Sequence, residues 1–269
     1  MKPFITGVGL WARGLTSFAA LERAATVGFS GIAGADFEQP MPSSIAPRER
    51  RRSGLFINLA VEVAHQACEE ARVAKDGIAS VFASSVGDTA TVDYMCRKLA
   101  GSDRLLSPAR FTNSVHNAAS GHWAISAGSR EPSTFVAGAG GSVGAGLLEA
   151  ASQAQDTDKP VLLVVCDVAN TGPFSDVCPV KESLAAAVVL EMSVPAGRNC
   201  ALALPVDVHY VAEQARPPDP MAAELCELAK ANPIGQSLAL LERCVVDRGR
   251  GSPLRFPAAH HGCVELGLG

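Results

Sequence analysis

The sequence predicts a layered α/β fold, a mixed β-sheet flanked by helices, and three observations carry that reading. Short β-branched runs alternate with longer stretches of helical periodicity, as strands and their crossover helices do. The residues are 48% hydrophobic but only 5% aromatic, and 25 glycines with abundant alanine let helices approach a sheet closely. Residues 161–168 (VLLVVCDV) are almost wholly apolar, which suits a central strand covered on both faces.

The elements follow in order. Residues 4–10 read as a strand ending in Gly7 and Gly9, and 18–25 as a short helix. The Gly-, Pro- and Ser-rich stretch 28–47 lacks periodicity and is read as a surface excursion. Over 51–74, Leu55, Leu59, Val63, Ala67 and Ala71 recur at helical spacing before Asp76 and Gly77, which predicts a long buried helix. Residues 79–85 predict a strand and 89–99 the helix after it, while 107–128 opens as a loop and turns helical near Val115. A strand over 133–137 breaks into the turn 138–141 and continues as a helix over 142–153, with Ser142 read as its cap. Two strands, 184–192 and 201–208, lie across a short Pro/Gly/Asn turn and are expected to pair antiparallel. Beyond Pro217, Pro218 and Pro220, short helices are expected over 221–229 and 233–246, then a hairpin of 254–256 and 263–268.

A net charge of -4, with no basic run beyond Arg48, Arg50, Arg51 and Arg52, argues against nucleic acid as a partner. No segment has the apolar length of a membrane span, and residues 1–14 lack the form of a signal peptide, so a cytoplasmic location is expected. The eight cysteines show no metal-binding spacing and read as reduced core residues.

A specific arrangement stands out. Ile5-Thr6-Gly7-Val8-Gly9, then residues 48–74, then 111–121, then Pro132-Ser133 through Ala150, resemble in order the N-terminal half of β-ketoacyl-acyl carrier protein synthases. In that family a Pro-Ser pair opens the strand leading to the nucleophile, and Ala-Cys-x-Ser-Gly follows before a helix. Aligned without gaps from Pro132, the family's cysteine falls on Gly140, its serine on Ser142 and its glycine on Val143. The thiolate that would take an acyl chain, favoured by the dipole and N–H groups of a helix start, has no counterpart. The His-Gly-Thr and Asn-x-Phe-Gly motifs of the family's second half are also absent from the sequence.

These departures resemble the ketosynthase-like chain-length factors of aryl polyene pathways. Ser107-Pro108, Phe111, Ser114-Val115-His116-Asn117, the Asn232-Pro233 helix and residues 254–268 look like that short subfamily too. The resemblance implies a thiolase-like fold with residues 1–195 as the ketosynthase-like domain and 196–269 as an abbreviated C-terminal portion packed on it. It further implies no catalytic residue, cofactor or metal, and a heterodimer with an active ketosynthase that acyl carrier protein reaches through the partner. Phe111, Trp123, Phe135, Gly140 and Ser142 are the implied tunnel or interface residues.

Other readings compete. Gly140-Gly141-Ser142-Val143-Gly144 fits G-x-S-x-G between strand and helix, so Ser142 is an alternative nucleophile for a hydrolase or acyltransferase. Asp167 or Asp176 would then orient His209, His260 or His261. Cys166 is a second candidate thiol, although the neighbouring Asp167 disfavours a thiolate. The glycine run lacks the lysine of a phosphate-binding loop. His116 and His122, six apart, do not have the spacing of a metal pair. The Arg48–Arg52 cluster reads as a solvated patch or a surface for an acidic carrier protein.

Overall fold

The computed structural model describes residues 1–102, 104–200, 202–246, 251–258 and 262–268. Numbered along the chain, the strands cross the sheet as β3 (Ser133–Val136), β2 (Ala79–Ala83), β4 (Val161–Asp167), β5 (Leu184–Glu191), β1 (Phe4–Ala12), β6 (Leu204–Val211), β8 (Gly262–Leu268) and β7 (Leu254–Ala258). β3, β2 and β4 are parallel, and every remaining pairing is antiparallel. The sheet is therefore mixed, as expected.

Helices cover both faces. On one side lie α2 (Pro47–Ala71) and α5 (Ala118–Ala127), whose Leu59, Val63, Ala67 and Trp123 pack on Leu162 and Val164 of β4. On the other side α6 (Ser142–Thr157) and α9 (Ser237–Val246) bring Leu147, Leu238 and Leu241 against Leu163 and Val165 of the same strand. Period-two alternation thus sends neighbouring residues of β4 into two different cores, which is why its sequence shows no polar face. The same close layering explains Gly7 and Gly9: a Cβ on either would collide with the α2 backbone, at Ala67 and Val63 respectively.

Three expectations are corrected. Residues 184–192 and 201–208 contain strands β5 and β6, but these do not pair with each other; β1 lies between them, antiparallel to both. The connection is long enough for β6 to start beside Phe4 and run on past the chain start, where the Val208 N–H donates to the Met1 carbonyl. The long helix begins at Pro47, a good first helical residue, and is interrupted at Gly54, whose φ of 80° leaves the helical region. Residues 107–128 hold two helices, α4 (Pro108–Thr112) and α5, rather than a loop and one helix. The hairpin of β7 and β8 is present. The remaining helices are α1 (Phe18–Val27), α3 (Thr89–Ala100), α7 (Pro173–Val177) and α8 (Ala223–Lys230).

Candidate functional site

Strand β3 leads through a 3-10 turn, Ala139–Gly141, into α6, and this junction is where the sequence aligns a nucleophile. Ala139 takes a φ of 46°, in the left-handed region that costs a residue with a Cβ, so the turn is held by its surroundings. Ser142 does much of the holding. Fully buried, its Oγ accepts from the Gly138 N–H at 3.0 Å and faces the carbonyls of Ala139 at 2.8 Å and Ser84 at 3.1 Å as donor. It is the first residue of α6 and not its cap, a position held by Gly141. Gly144 is also structural, because a Cβ there would strike the β7 backbone at Pro257.

The serine-hydrolase reading fails on this geometry. Asp167 is spent on the loop after β2, accepting from the Ser84 hydroxyl at 2.5 Å and from the N–H groups of Ser85 and Val86. Burial raises its pKa, against the opposing effect of those donors. Asp176 lies on α7. His209 pairs with Asp207 at 2.8 Å, His122 with Asn113 at 3.1 Å, and His116 packs edge-on to Phe135. Among the described residues no histidine is bonded to Ser142; His260 and His261 lie outside them. Its hydroxyl is occupied by backbone groups, and among the described residues Ser142 has neither a base nor access.

Cys166 is no better placed. Its Sγ donates to the Phe56 carbonyl in the core, and burial, followed by the carboxylates of Asp167 and Asp88, pushes the thiol well above its ordinary pKa. Burial likewise pushes Cys68 and Cys244 up to about 12. Among the described residues no cluster of three metal-ligating side chains occurs, and no helix is long and apolar enough to cross a membrane.

The other sequence candidates fall in different environments. Phe111 on α4 is 60% exposed, whereas Trp123 is 1% exposed and packs in the core against the His65 ring. Phe135 is half-buried on the edge strand β3, between Phe82 and His116. Gly140 borders a cavity of about 410 Å³, where Gln236, unremarked in the sequence, donates to its carbonyl at 2.7 Å. Nothing in the sequence signals that contact, which spans 96 positions. A larger cavity, about 790 Å³, opens between the break at Gly54 and the starts of α3 and α4, with Arg51, Arg52 and Arg110 on its walls. Arg110 lies 4.3 Å over the Tyr94 ring, and Asp88 is occupied in capping α3 through Thr91.

The fold is similar to chains in three solved assemblies. One, the ketosynthase ApeO in complex with its chain length factor ApeC from Xenorhabdus doucetiae, gives a TM-score of 0.73 at 19% identity, covering 99% of each chain. The ishigamide ketosynthase/chain length factor gives 0.67 at 16% identity, over 100% of this chain and 99% of that one. A complex of a type II polyketide synthase acyl-carrier protein with its ketosynthase, AntDE:AntF, gives 0.73 at 11% identity, over 99% and 98%. No curated protein matches the sequence. Residues 30–244 match the family described as the β-ketoacyl synthase N-terminal domain, well over half of the sequence, and to that family this chain belongs.

Proposed function

We propose that this chain is a non-catalytic, ketosynthase-like subunit of the chain-length-factor type, which pairs with an active β-ketoacyl-ACP synthase and shapes its acyl tunnel. Gly140 carries the reading. At the strand-to-helix junction where a condensing subunit needs a thiolate, this chain presents bare backbone, and neither Ser142 nor Cys166 replaces it. The assemblies named for the similar structures point the same way.

The two sheet edges support a pairing surface on one side. β7 carries Pro257, and a proline blunts an edge against added strands. β3 has no proline within it. The Ser80 N–H donates to the Pro132 carbonyl and Ser84 to Val136, so the even-numbered residues of β3 face β2, while Ser133 and Phe135 turn their main-chain groups outward. The chain just before this edge exposes Phe111, Val115 and Ile125. A partner strand on β3, with Phe111 and Phe135 beside it and Trp123 supporting from behind, is the pairing we favour.

In this reading residues 196–269 pack on the ketosynthase-like domain of residues 1–195 as one body, the pair works in the cytoplasm, and acyl carrier protein is engaged through the partner. The basic surface of Arg48–Arg52 suits an acidic carrier. Co-expression with a ketosynthase tests the whole: a stable heterodimer whose malonyl-dependent elongation needs the partner's cysteine supports the reading. Elongation by this chain alone overturns it.

A further inference from the structure

His116 sits beside β3, the sheet edge on which a partner strand is favoured, and its ring is held by packing. It lies edge-on to Phe135 with ring centroids 4.0 Å apart, and Phe135 in turn stacks on the buried Phe82 of β2. The ring also faces Gly87, where a Cβ would lie 3.6 Å from its Cδ2.

The polar groups around the imidazole are spent elsewhere. Asp88 accepts from the N–H and hydroxyl of Thr91, Asn113 donates to the Arg52 carbonyl and meets His122 of α5, and Ser114 donates to the Phe111 carbonyl. Asp88 is the one carboxylate among the described residues that line this cleft, to which α2 and α3 present Phe56 and Val92. β3 carries no charge over Ser133–Val136. Contact with these neighbours already takes the imidazole partly out of water, which lowers its pKa.

A strand added to β3 sets a side chain about 5 Å from Phe135 on the same face of the sheet, where His116 and its exposed neighbour Val115 lie. Water is then excluded from an imidazole that has no counter-ion in this chain. The neutral ring tolerates that and an imidazolium does not.

We propose that His116 makes pairing with the ketosynthase pH-sensitive, the interface accepting the neutral imidazole and excluding the protonated one. This rests on pairing at the β3 edge and adds to it a control on assembly. As pH falls through the histidine range the free chain takes up a proton that the paired chain resists, so pairing is full above that range and weakens below it.

The dissociation constant of the reconstituted pair, measured by calorimetric titration at pH 7.5, 6.5 and 5.5, tests it. For wild type it is expected to rise about threefold or more across the series. His116→Phe keeps a ring on Phe135 and is expected to pair like wild type at pH 7.5, with the pH dependence reduced. His116→Lys fixes a positive charge at this exposed position and is expected to pair about tenfold more weakly at every pH, with an unchanged melting temperature. Wild-type affinity that stays constant or rises as pH falls, an undiminished slope in His116→Phe, or full-strength pairing by a folded His116→Lys chain would each overturn the proposal. Pairing without pH dependence removes this inference alone, whereas no pairing at pH 7.5 removes the functional reading and this inference with it.

Discussion

The Ser142 hydroxyl reaches the Ser84 carbonyl at 3.1 Å, and the Ser84 hydroxyl in turn donates to Asp167 at 2.5 Å. Through this relay the ends of β2 and β4 and the start of α6 are tied to the turn that holds Gly140. The serine of the G-x-S-x-G pattern is thus a fastener for the loop around Gly140, the position that the sequence aligns with the family's cysteine.

Ser142→Ala removes that fastener and strands the Gly138 N–H, which should cost about 1–2 kcal/mol in denaturant unfolding. Elongation by the reconstituted pair should be unchanged wherever the variant is folded. A folded variant that pairs normally yet loses elongation would restore Ser142 as a chemical residue.

Ser133→Pro deletes an outward N–H on β3 without touching the ladder to β2, since Ser133 is odd-numbered and exposed. Its Oγ accepts from the Ser80 hydroxyl at 3.0 Å, a modest loss for the fold. Co-purification with the ketosynthase should fall at least tenfold while circular dichroism stays native. Undiminished pairing would move the interface away from this edge.

Much of the fold was legible because its periodicities are local. The apolar run of β4, the helical spacing from Leu55 to Ala71 and the Pro-Ser strand with its glycine turn each follow from neighbouring residues. The placement of β1 between β5 and β6 was not legible, because a short turn usually pairs its two strands and only tertiary packing inserts a third. At the site, the expectation that Gly140 stands where the family has its cysteine comes from spacing alone. The Asp167–Ser84 and Gln236–Gly140 contacts join residues 83 and 96 positions apart and leave no local pattern.

His65 provides a pH test. Burial, aided by Lys75, lowers its pKa from 6.5 to about 4. Because the folded-state value is depressed, the unfolded chain binds the extra proton between these limits. Stability is therefore full above pH 6.5 and declines as pH falls toward 4. Partial exposure screens the effect, so the loss attributable to His65 should be about 1 kcal/mol. Urea unfolding from pH 7 to 4.5 should show a shallower decline for His65→Leu than for wild type; parallel curves would remove His65 as the cause.

Glu242 makes the last prediction, because α8 has no cap of its own. Ala222 stands at the N-cap without a side-chain bond, and the buried carboxylate of Glu242 on α9 instead pins the turn that leads into the helix, accepting from the N–H groups of Met221 at 2.5 Å and Ala222 at 2.9 Å. A charged acceptor at a helix start gains from both the hydrogen bonds and the dipole. Glu242→Ala should therefore cost about 2–4 kcal/mol and expose residues 216–222 to proteolysis ahead of global unfolding. Glu242→Gln keeps an acceptor but loses the charge, and should fall between the two. Equal urea midpoints for wild type and Glu242→Ala, with no new cleavage in 216–222, would show that α8 is held by the packing of Leu225 and Leu228 alone.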